Sequence, residues 1–121
     1  MASREPQTLL PELYRLYGLF KEAMFEAKED YILTCTRRSQ EEQNNLYEQG
    51  RSKPGQIVTW TKKSKHIEGR AFDIAIIKNG KITWNPKDYK NAGEIGMMVG
   101  LQWGGAWARN KDYPHFELKE T

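Results

Sequence analysis

The sequence predicts an α+β fold in which helices cover a small, mainly antiparallel sheet. Three observations support this fold class: an amphipathic helical stripe near the N-terminus, a strong hairpin signal after the middle of the chain, and short apolar runs typical of buried strands. A chain of 121 residues is long enough to close one hydrophobic core. We therefore expect residues 1–121 to form a single domain.

The first half of the chain predicts two helices with a strand between them. Apolar side chains recur every three or four positions over residues 9–27, which is typical of a helix that packs one face on a core. The segment YILTC, residues 31–35, reads as a short buried strand. Ser39 followed by Glu42 forms a capping box, so a second helix should begin there and end at Gly50.

The second half predicts a hairpin, a third helix and a last strand. The run AFDIAII, residues 71–77, is followed by Asn79-Gly80 and then by KITW, which should return antiparallel. Residues 56–59 predict a weaker strand. A helix is expected over roughly residues 86–99, although two glycines weaken it, and HFEL, residues 115–118, predicts the final strand.

Composition excludes several classes of protein. The hydrophobic fraction of 38% and charged fraction of 29% are those of a folded soluble domain. The net charge of +3 permits an anionic partner without requiring one, and no nucleic-acid-binding motif is present, so we expect no nucleic-acid partner. No apolar run approaches the roughly 20 residues of a membrane span, and no signal peptide is recognisable. We expect a monomer without membrane insertion, and a buried Cys35 without a chemical role.

Two histidines and their neighbouring carboxylates are the chemistry-bearing residues. His66, Asp73 and His115 supply the three protein ligands that a catalytic zinc site needs, and Asp112 lies three residues before the second histidine. The chain has no HExxH or CxxC pattern. A lone histidine in a small domain is more commonly a surface or core residue, so the residues by themselves leave open a metal site and an ordinary polar loop.

A family resemblance favours the metal site. The segment SKHIEGRAFD, residues 64–73, matches in full the SxHxxGxAxD signature of the zinc peptidases that include D-Ala-D-Ala carboxypeptidases, D-Ala-D-Ala dipeptidases and the L-alanyl-D-glutamate endopeptidases of phage endolysins. Residues 36–59 and 103–117 also resemble segments of this family. The resemblance covers about residues 31–118 and implies the fold of D-Ala-D-Ala peptidases and hedgehog-type domains.

The resemblance also implies roles for single residues. It makes His66, Asp73 and His115 the ligands of one zinc ion per chain, and Asp112 the catalytic base and acid. One of two neighbouring arginines, Arg38 by its position or else Arg37, would face the scissile carbonyl. Candidates for contacting the substrate are Ser64, Gln43, Trp103 and Tyr113, and Trp107 also flanks the second motif. Burial in the core is the alternative for the aromatic residues, and exposure to solvent is the alternative for Gln43.

The second motif selects a branch of the family. Asp112-x-x-His115 after a Trp-Gly-Gly segment is similar to L-alanyl-D-glutamate endopeptidases, whereas D-Ala-D-Ala enzymes usually have Glu-x-x-His. The expected function is therefore cleavage of the L-Ala-D-Glu bond of peptidoglycan stem peptides by a zinc-dependent phage or prophage endolysin without a separate wall-binding domain. Such a protein is made in the host cytoplasm and reaches the wall through a holin. A D-Ala-D-Ala carboxypeptidase or dipeptidase and a non-catalytic, zinc-bearing wall-binding domain remain the alternatives.

Overall fold

The computed structural model describes residues 3–59 and 63–119. Its helices are α1 (Pro11–Glu26), α2 (Gln40–Glu48) and α3 (Lys90–Met98). Its strands are β1 (Asp30–Cys35), β2 (Ala71–Lys78), β3 (Lys81–Thr83), β4 (Leu101–Trp103) and β5 (His115–Leu118). Short 3-10 turns cover Pro6–Thr8, Lys65–Glu68, Pro86–Tyr89 and Gly104–Ala106.

The five strands form one antiparallel sheet, which confirms the predicted α+β fold. The strand order is β1-β2-β5-β4, and β3 pairs with the end of β2. The β2–β3 hairpin is the one that Asn79-Gly80 predicts, and both residues have positive φ angles, as a tight hairpin turn requires. Long β2 therefore lies at the centre of the sheet.

The hydrophobic core lies between one face of the sheet and two helices. Alternate residues of a strand face opposite sides, so Phe72 and Ile74 of β2 and Phe116 of β5 point to the core, while Asp73 and His115 point to the other face. The fully buried Leu13 and Phe20 of α1 belong to this core cluster. The sheet thus separates the hydrophobic core from the polar side chains.

Two glycines allow α3 to approach the sheet closely. A Cβ atom at Gly93 would lie 2.2 Å from the ring of Trp103, and one at Gly96 would lie 2.5 Å from the ring of Phe116. From the sequence alone these glycines are expected to weaken the helix. In the structure they make room for two aromatic rings. α3 begins at Lys90, later than predicted, because residues 86–89 form a 3-10 turn.

One predicted strand is absent, and one observed strand was not predicted. Residues 56–59 do not form a strand. Ile57 and Val58 in this segment are 43% and 56% exposed, so the sheet does not bury their side chains. Conversely, LQW forms β4, whose three residues are too few to show an alternating pattern in the sequence. No helix in the described part of the chain combines the length and the apolar character that crossing a membrane demands.

Candidate metal centre and active site

Strand register places three chemistry-bearing side chains in one row across the sheet. Asp73 of β2 lies directly opposite Cys35 of β1 on one side and opposite His115 of β5 on the other. A register shift between Leu33 and Cys35 brings the cysteine into this row, since two positions on β1 advance against one on β2. The polar face of the sheet thereby gathers residues that are far apart in the sequence.

The loop before β2 brings His66 to the same place. The Ser64 hydroxyl accepts a hydrogen bond from the backbone N–H of His66 at 3.1 Å and caps the Lys65–Glu68 turn. Gly69 ends this turn with φ +72°, a left-handed conformation that favours glycine, and a Cβ atom there would meet Arg37 and the carbonyl oxygen of Thr8. The serine and the glycine of the motif therefore shape the loop that presents His66.

The imidazoles of His66 and His115 both contact one oxygen of Asp73. Asp73 Oδ1 lies 3.1 Å from His66 Nε2 and 2.9 Å from His115 Nδ1. His66 Nε2 is buried, and its contact with Asp73 lacks the geometry of a hydrogen bond, so among the described residues this nitrogen has no hydrogen-bond partner. Two imidazole nitrogens and a carboxylate oxygen form a donor set that suits zinc, and an unpaired buried nitrogen is what a missing ligand-to-metal bond leaves behind.

The three groups shift one another's pKa values strongly. Burial disfavours the charged form of His66, but the Asp73 carboxylate and Cys35 outweigh it and raise the pKa of His66 to about 9. Burial likewise opposes charging of His115, yet Asp73 and Glu117 raise the pKa of His115 to about 10. Burial would raise the pKa of Asp73, but the two histidines hold it well below its usual range. Binding of a metal ion by these two imidazoles would therefore release one proton from each ring.

Cys35 is a neighbour of the cluster that sequence reasoning assigned no role. Its Sγ lies 3.5 Å from Nδ1 of His66, and the Arg38 guanidinium donates a hydrogen bond to the same sulfur at 3.4 Å. Cys35, His66 and Asp73 thus form a second set of donor atoms close enough to hold a metal, beside the set of Asp73, Asp112 and His115. The thiol is buried, as predicted, and only the strand register could have revealed its position.

An open cavity of about 660 Å³ exposes the cluster to solvent. The side chains of Asp73, His66 and His115 form part of its wall. The other described residues that line it include four cations and an aromatic ring: Lys63, Lys65, Arg109, Lys111 and Trp107. The Trp107 ring lies 5.3 Å from the ring of His115, centroid to centroid. A substrate that reaches the cluster must therefore pass a positively charged rim.

Asp112 lies at the edge of the cluster. Its Oδ2 is 4.0 Å from His115 Nδ1, and its side chain is 49% exposed in the cavity. Partial burial, aided by the negative charge of Asp73, raises the pKa of Asp112 above its ordinary value. The backbone N–H of Asp112 donates to the carbonyl oxygen of Gly104, and a Cβ atom at Gly104 would lie only 2.2 Å from the Asp112 carbonyl oxygen. Gly104 is therefore needed for the position of Asp112.

The structure separates the two neighbouring arginines. Arg37 is exposed and donates to the carbonyl oxygens of Thr8 and Glu68. These bonds join the loop of residues 64–69, the motif loop, to the N-terminal segment. Arg38 lines the cavity, and its backbone N–H donates to the carbonyl oxygen of His66. Its Nε is buried and, within the described residues, has no hydrogen-bond partner. Arg38 is thus the arginine that a substrate in the cavity can reach.

Gln43 has a different place from the one expected. It is fully buried, and its Oε1 accepts a hydrogen bond of 2.7 Å from the Arg38 guanidinium, while its Nε2 donates to Thr59 Oγ1 at 3.3 Å. Its side chain is not part of the cavity wall formed by the described residues. The structure therefore gives Gln43 a role in holding Arg38, because its buried amide oxygen accepts from the guanidinium.

The two aromatic candidates also lie elsewhere. Trp103 is 9% exposed and belongs to the core, and its indole N–H donates to the carbonyl oxygen of Tyr113 at 2.7 Å. Tyr113 packs edge to face on Trp103 and against the core. Among the described residues of the cavity wall, the aromatic side chain is that of Trp107. Alternation along β4 explains the correction, because Trp103 shares the core-facing side with Leu101. Ser64 does line the cavity.

Glu117 is a further member of the site that the sequence analysis did not single out. It lies two residues after His115 on β5, so both side chains point to the same face of the sheet. Its Oε1 lies 2.8 Å from His115 Nε2, and the carboxylate is almost fully buried. The alternation H-x-E at the start of a predicted strand is the signal that could have identified it.

Comparison with known proteins places the chain in a family. A family model described as D-alanyl-D-alanine carboxypeptidase matches residues 58–118, half of the chain. The matched segment contains the two histidines and two aspartates of the site: His66, Asp73, Asp112 and His115. The chain belongs to this family of peptidases. The family predicted from the SxHxxGxAxD motif is thereby confirmed.

Individual members of the peptidase family are also similar to this chain. It is 37% identical over 125 aligned residues to the peptidoglycan L-alanyl-D-glutamate endopeptidase CwlK of Bacillus subtilis strain 168, covering 93% of this chain and 75% of that relative. It is 42% identical over 66 residues to the L-alanyl-D-glutamate peptidase of Escherichia phage T5, covering 47% of this chain and 46% of the relative.

The fold has a counterpart among solved structures. The crystal structure of the Serratia marcescens L-Ala D-Glu endopeptidase ChiX superposes with a TM-score of 0.78 and covers 98% of this chain and 89% of that one. The sequence identity is 22%, so this likeness supports the fold. It agrees with the three helices and the five-stranded antiparallel sheet described above.

Proposed function

We propose that this chain is a zinc-dependent endopeptidase that cuts the L-alanyl-D-glutamate bond in the stem peptides of peptidoglycan. The observation that carries the proposal is the contact of Asp73 Oδ1 with both His66 and His115, at the wall of a cavity that also contains Asp112 and Arg38. The choice of bond is supported by two relatives, from Bacillus subtilis and phage T5, whose names give this specificity.

His66 Nε2, Asp73 and His115 Nδ1 would hold the zinc ion. These atoms fit the ion because they are two imidazole nitrogens and one carboxylate, and because His66 Nε2 has no other hydrogen-bond partner in the described chain. A zinc ion held there supplies Lewis acidity, which polarises a peptide carbonyl and makes water acidic near neutral pH. The remaining steps belong to side chains of the protein.

Asp112 moves the proton in the proposed mechanism. Its carboxylate faces the cavity beside His115, so Oδ2 accepts the proton of the attacking water and then donates it to the amine of the leaving D-glutamate. Its raised pKa brings it nearer the value that suits a group which must both take and release a proton at neutral pH. A non-catalytic zinc domain would not need a carboxylate at this position.

Arg38 stabilises the negative charge that develops on the carbonyl oxygen. Its guanidinium lines the cavity, is held by Gln43, and keeps its Nε free of other described partners. A fixed cation beside the developing oxyanion stabilises the transition state more than the ground state. Trp107 forms an apolar part of the same wall.

The decisive experiment is digestion of purified peptidoglycan with the zinc-loaded protein. Mass spectrometry of the fragments, with labelling of new amino ends, should show D-glutamate amino termini and L-alanine left on muramic acid. Release of free D-alanine would instead support the second candidate, a D-Ala-D-Ala carboxypeptidase, which the description of the matched family favours. Tight zinc binding without cleavage of any bond would contradict both and favour a non-catalytic domain.

We also propose that the enzyme serves in phage-directed lysis of the host wall. The relative from phage T5 supports this role, and the cavity rim carries cations suited to an anionic polymer. Expression with an added export signal should lyse a bacterial host, whereas expression without it should need a co-expressed holin. Lysis by the unmodified protein alone would contradict the dependence on a holin.

A further inference from the structure

The environment of Glu117 is unusual for a carboxylate in a strand. All four residues of β5 are buried, and Glu117 is only 7% exposed. A buried carboxylate without a partner is costly, so its presence requires compensation. In the described part of the chain, its carboxylate has one side-chain hydrogen-bond partner, Nε2 of His115, at 2.8 Å.

The imidazole of His115 has different partners on its two nitrogens. Nε2 contacts the Glu117 carboxylate at 2.8 Å, whereas Nδ1 faces Asp73 at 2.9 Å and Asp112 at 4.0 Å. A neutral imidazole carries one proton, and a carboxylate is an acceptor only. A proton on Nε2 therefore satisfies Glu117 and leaves the lone pair of Nδ1 directed at the cluster.

Strand geometry fixes this arrangement. His115 and Glu117 are two residues apart on β5, and β2 faces them with Asp73 and Ala71 at the directly opposite positions. Ala71 is fully buried, and its small side chain leaves space on this face for the Glu117 carboxylate. The small residue of the family motif thus faces Glu117, while the aspartate of the motif faces His115.

We propose that Glu117 is a positioning residue, whose carboxylate accepts the Nε2 proton of His115 and so presents Nδ1 of that ring to the zinc ion. Metal-binding histidines commonly donate their second N–H to a carboxylate, which fixes the orientation and the tautomer of the ring. The inference rests on the zinc site of the proposed function, but it does not depend on which bond the enzyme cuts.

Substitution of Glu117 tests the inference through metal affinity. Glu117→Ala should weaken zinc binding by about 10- to 100-fold, measured by competition with a chromophoric chelator. Glu117→Gln should keep most of the affinity, because its amide oxygen can accept the same proton. Glu94→Ala removes an exposed glutamate from α3 and is the matched control, which should bind zinc like the wild type. Unchanged affinity in Glu117→Ala would overturn the inference.

The proton position on His115 tests separately which ring nitrogen is presented to the zinc ion. Long-range proton–nitrogen NMR spectra of the zinc-loaded wild type should show a protonated Nε2 and an unprotonated Nδ1 on His115. The opposite pattern would overturn the inference, even if Glu117→Ala failed to fold. Zinc binding that depends on Glu117, without cleavage of peptidoglycan, would contradict only the proposed function. A wild type that binds no zinc would contradict both.

Discussion

Arg38 and Arg37 are adjacent in the sequence but serve different purposes in the structure. Arg38 lines the cavity, whereas Arg37 joins the motif loop to the N-terminal segment through two carbonyl oxygens. Arg38→Ala should lower kcat by about 10²- to 10³-fold and leave zinc affinity unchanged, because one electrostatic donor to the transition state is lost. Steady-state kinetics and chelator competition measure the two effects.

Arg37→Ala is the matched control for this prediction. Its loss should lower the melting temperature, since two hydrogen bonds that anchor the motif loop disappear, while kcat should change less than in Arg38→Ala. If Arg37→Ala loses turnover and Arg38→Ala keeps it, the two roles are assigned the wrong way round.

Cys35 contacts the opposite side of the His66 ring from Asp73. Its Sγ faces Nδ1, while Asp73 Oδ1 faces Nε2, so one ion bound through Nε2 is not bound by the thiol. We therefore predict that the cobalt-substituted protein lacks a thiolate-to-cobalt charge-transfer band in the near ultraviolet, and that Cys35→Ala keeps the cobalt spectrum. A charge-transfer band that Cys35→Ala abolishes would show that the thiol is a ligand.

At the scale of elements, the close approach of the Gly104–Ala106 turn to Asp112 determines where the proposed base lies. A Cβ atom at Gly104 would meet the Asp112 carbonyl oxygen at 2.2 Å, and backbone cannot move away as a flexible side chain can. Gly104→Ala should displace Asp112 and lower kcat by about 100-fold. Kinetics on peptidoglycan fragments, with melting curves to confirm folding, would measure this loss.

Gly18→Ala is the matched control, because the same substitution there causes no steric contact. It lies in α1, is exposed, and a Cβ atom there meets nothing within 4 Å. Gly18→Ala should leave kcat unchanged and raise the free energy of unfolding by about 0.5–1 kcal/mol, because alanine favours a helix interior more than glycine does. Wild-type turnover in Gly104→Ala would show that the Asp112 segment tolerates the displacement.

At the scale of the whole molecule, α1 and β1 are joined by a hydrogen bond between Tyr17 and Tyr31, 2.9 Å long. Burial raises the pKa of Tyr17, and burial together with the Tyr17 hydroxyl raises the pKa of Tyr31. Both phenols ionise near pH 10 in the unfolded chain. The folded state resists this ionisation, so their contribution to stability is complete below about pH 10 and is lost as pH rises further.

We predict that the free energy of unfolding falls above about pH 10, and that the double variant Tyr17→Phe with Tyr31→Phe weakens this dependence on pH. Chemical denaturation at several alkaline pH values measures the slope. Tyr14→Phe is the matched control, since Tyr14 is 51% exposed, and it should keep the wild-type slope. An identical slope in the double variant would exclude these two phenols as the cause.

Much of this architecture could be predicted from local sequence patterns. The β2–β3 hairpin, the capping box of α2 and the buried stripe of α1 depend on residues close together in the chain, so their patterns are readable without the fold. The SxHxxGxAxD motif is local in the same sense, because Ser64 and Gly69 shape the loop that carries His66.

Two of the features that sequence reasoning missed depend on long-range pairing. Cys35 reaches the site through the register shift of β1 against β2, and Trp103 turns to the core because β4 pairs with β5. By contrast, the bond between Gln43 and Arg38 joins residues five positions apart, and the sequence pattern does not specify the side-chain orientations that form it. Glu117 could have been predicted from the sequence, because it lies two residues after His115 on the same strand.

The central claim is that His66, Asp73 and His115 hold zinc while Asp112 moves the proton. The most direct measurement determines bound zinc and the cleavage of purified peptidoglycan for the wild type, His66→Ala and Asp112→Ala in parallel. We predict that His66→Ala loses zinc and activity together, whereas Asp112→Ala keeps one zinc ion per chain and loses at least about 100-fold in turnover. Loss of zinc in Asp112→Ala, or zinc retained by His66→Ala, would contradict this division of roles.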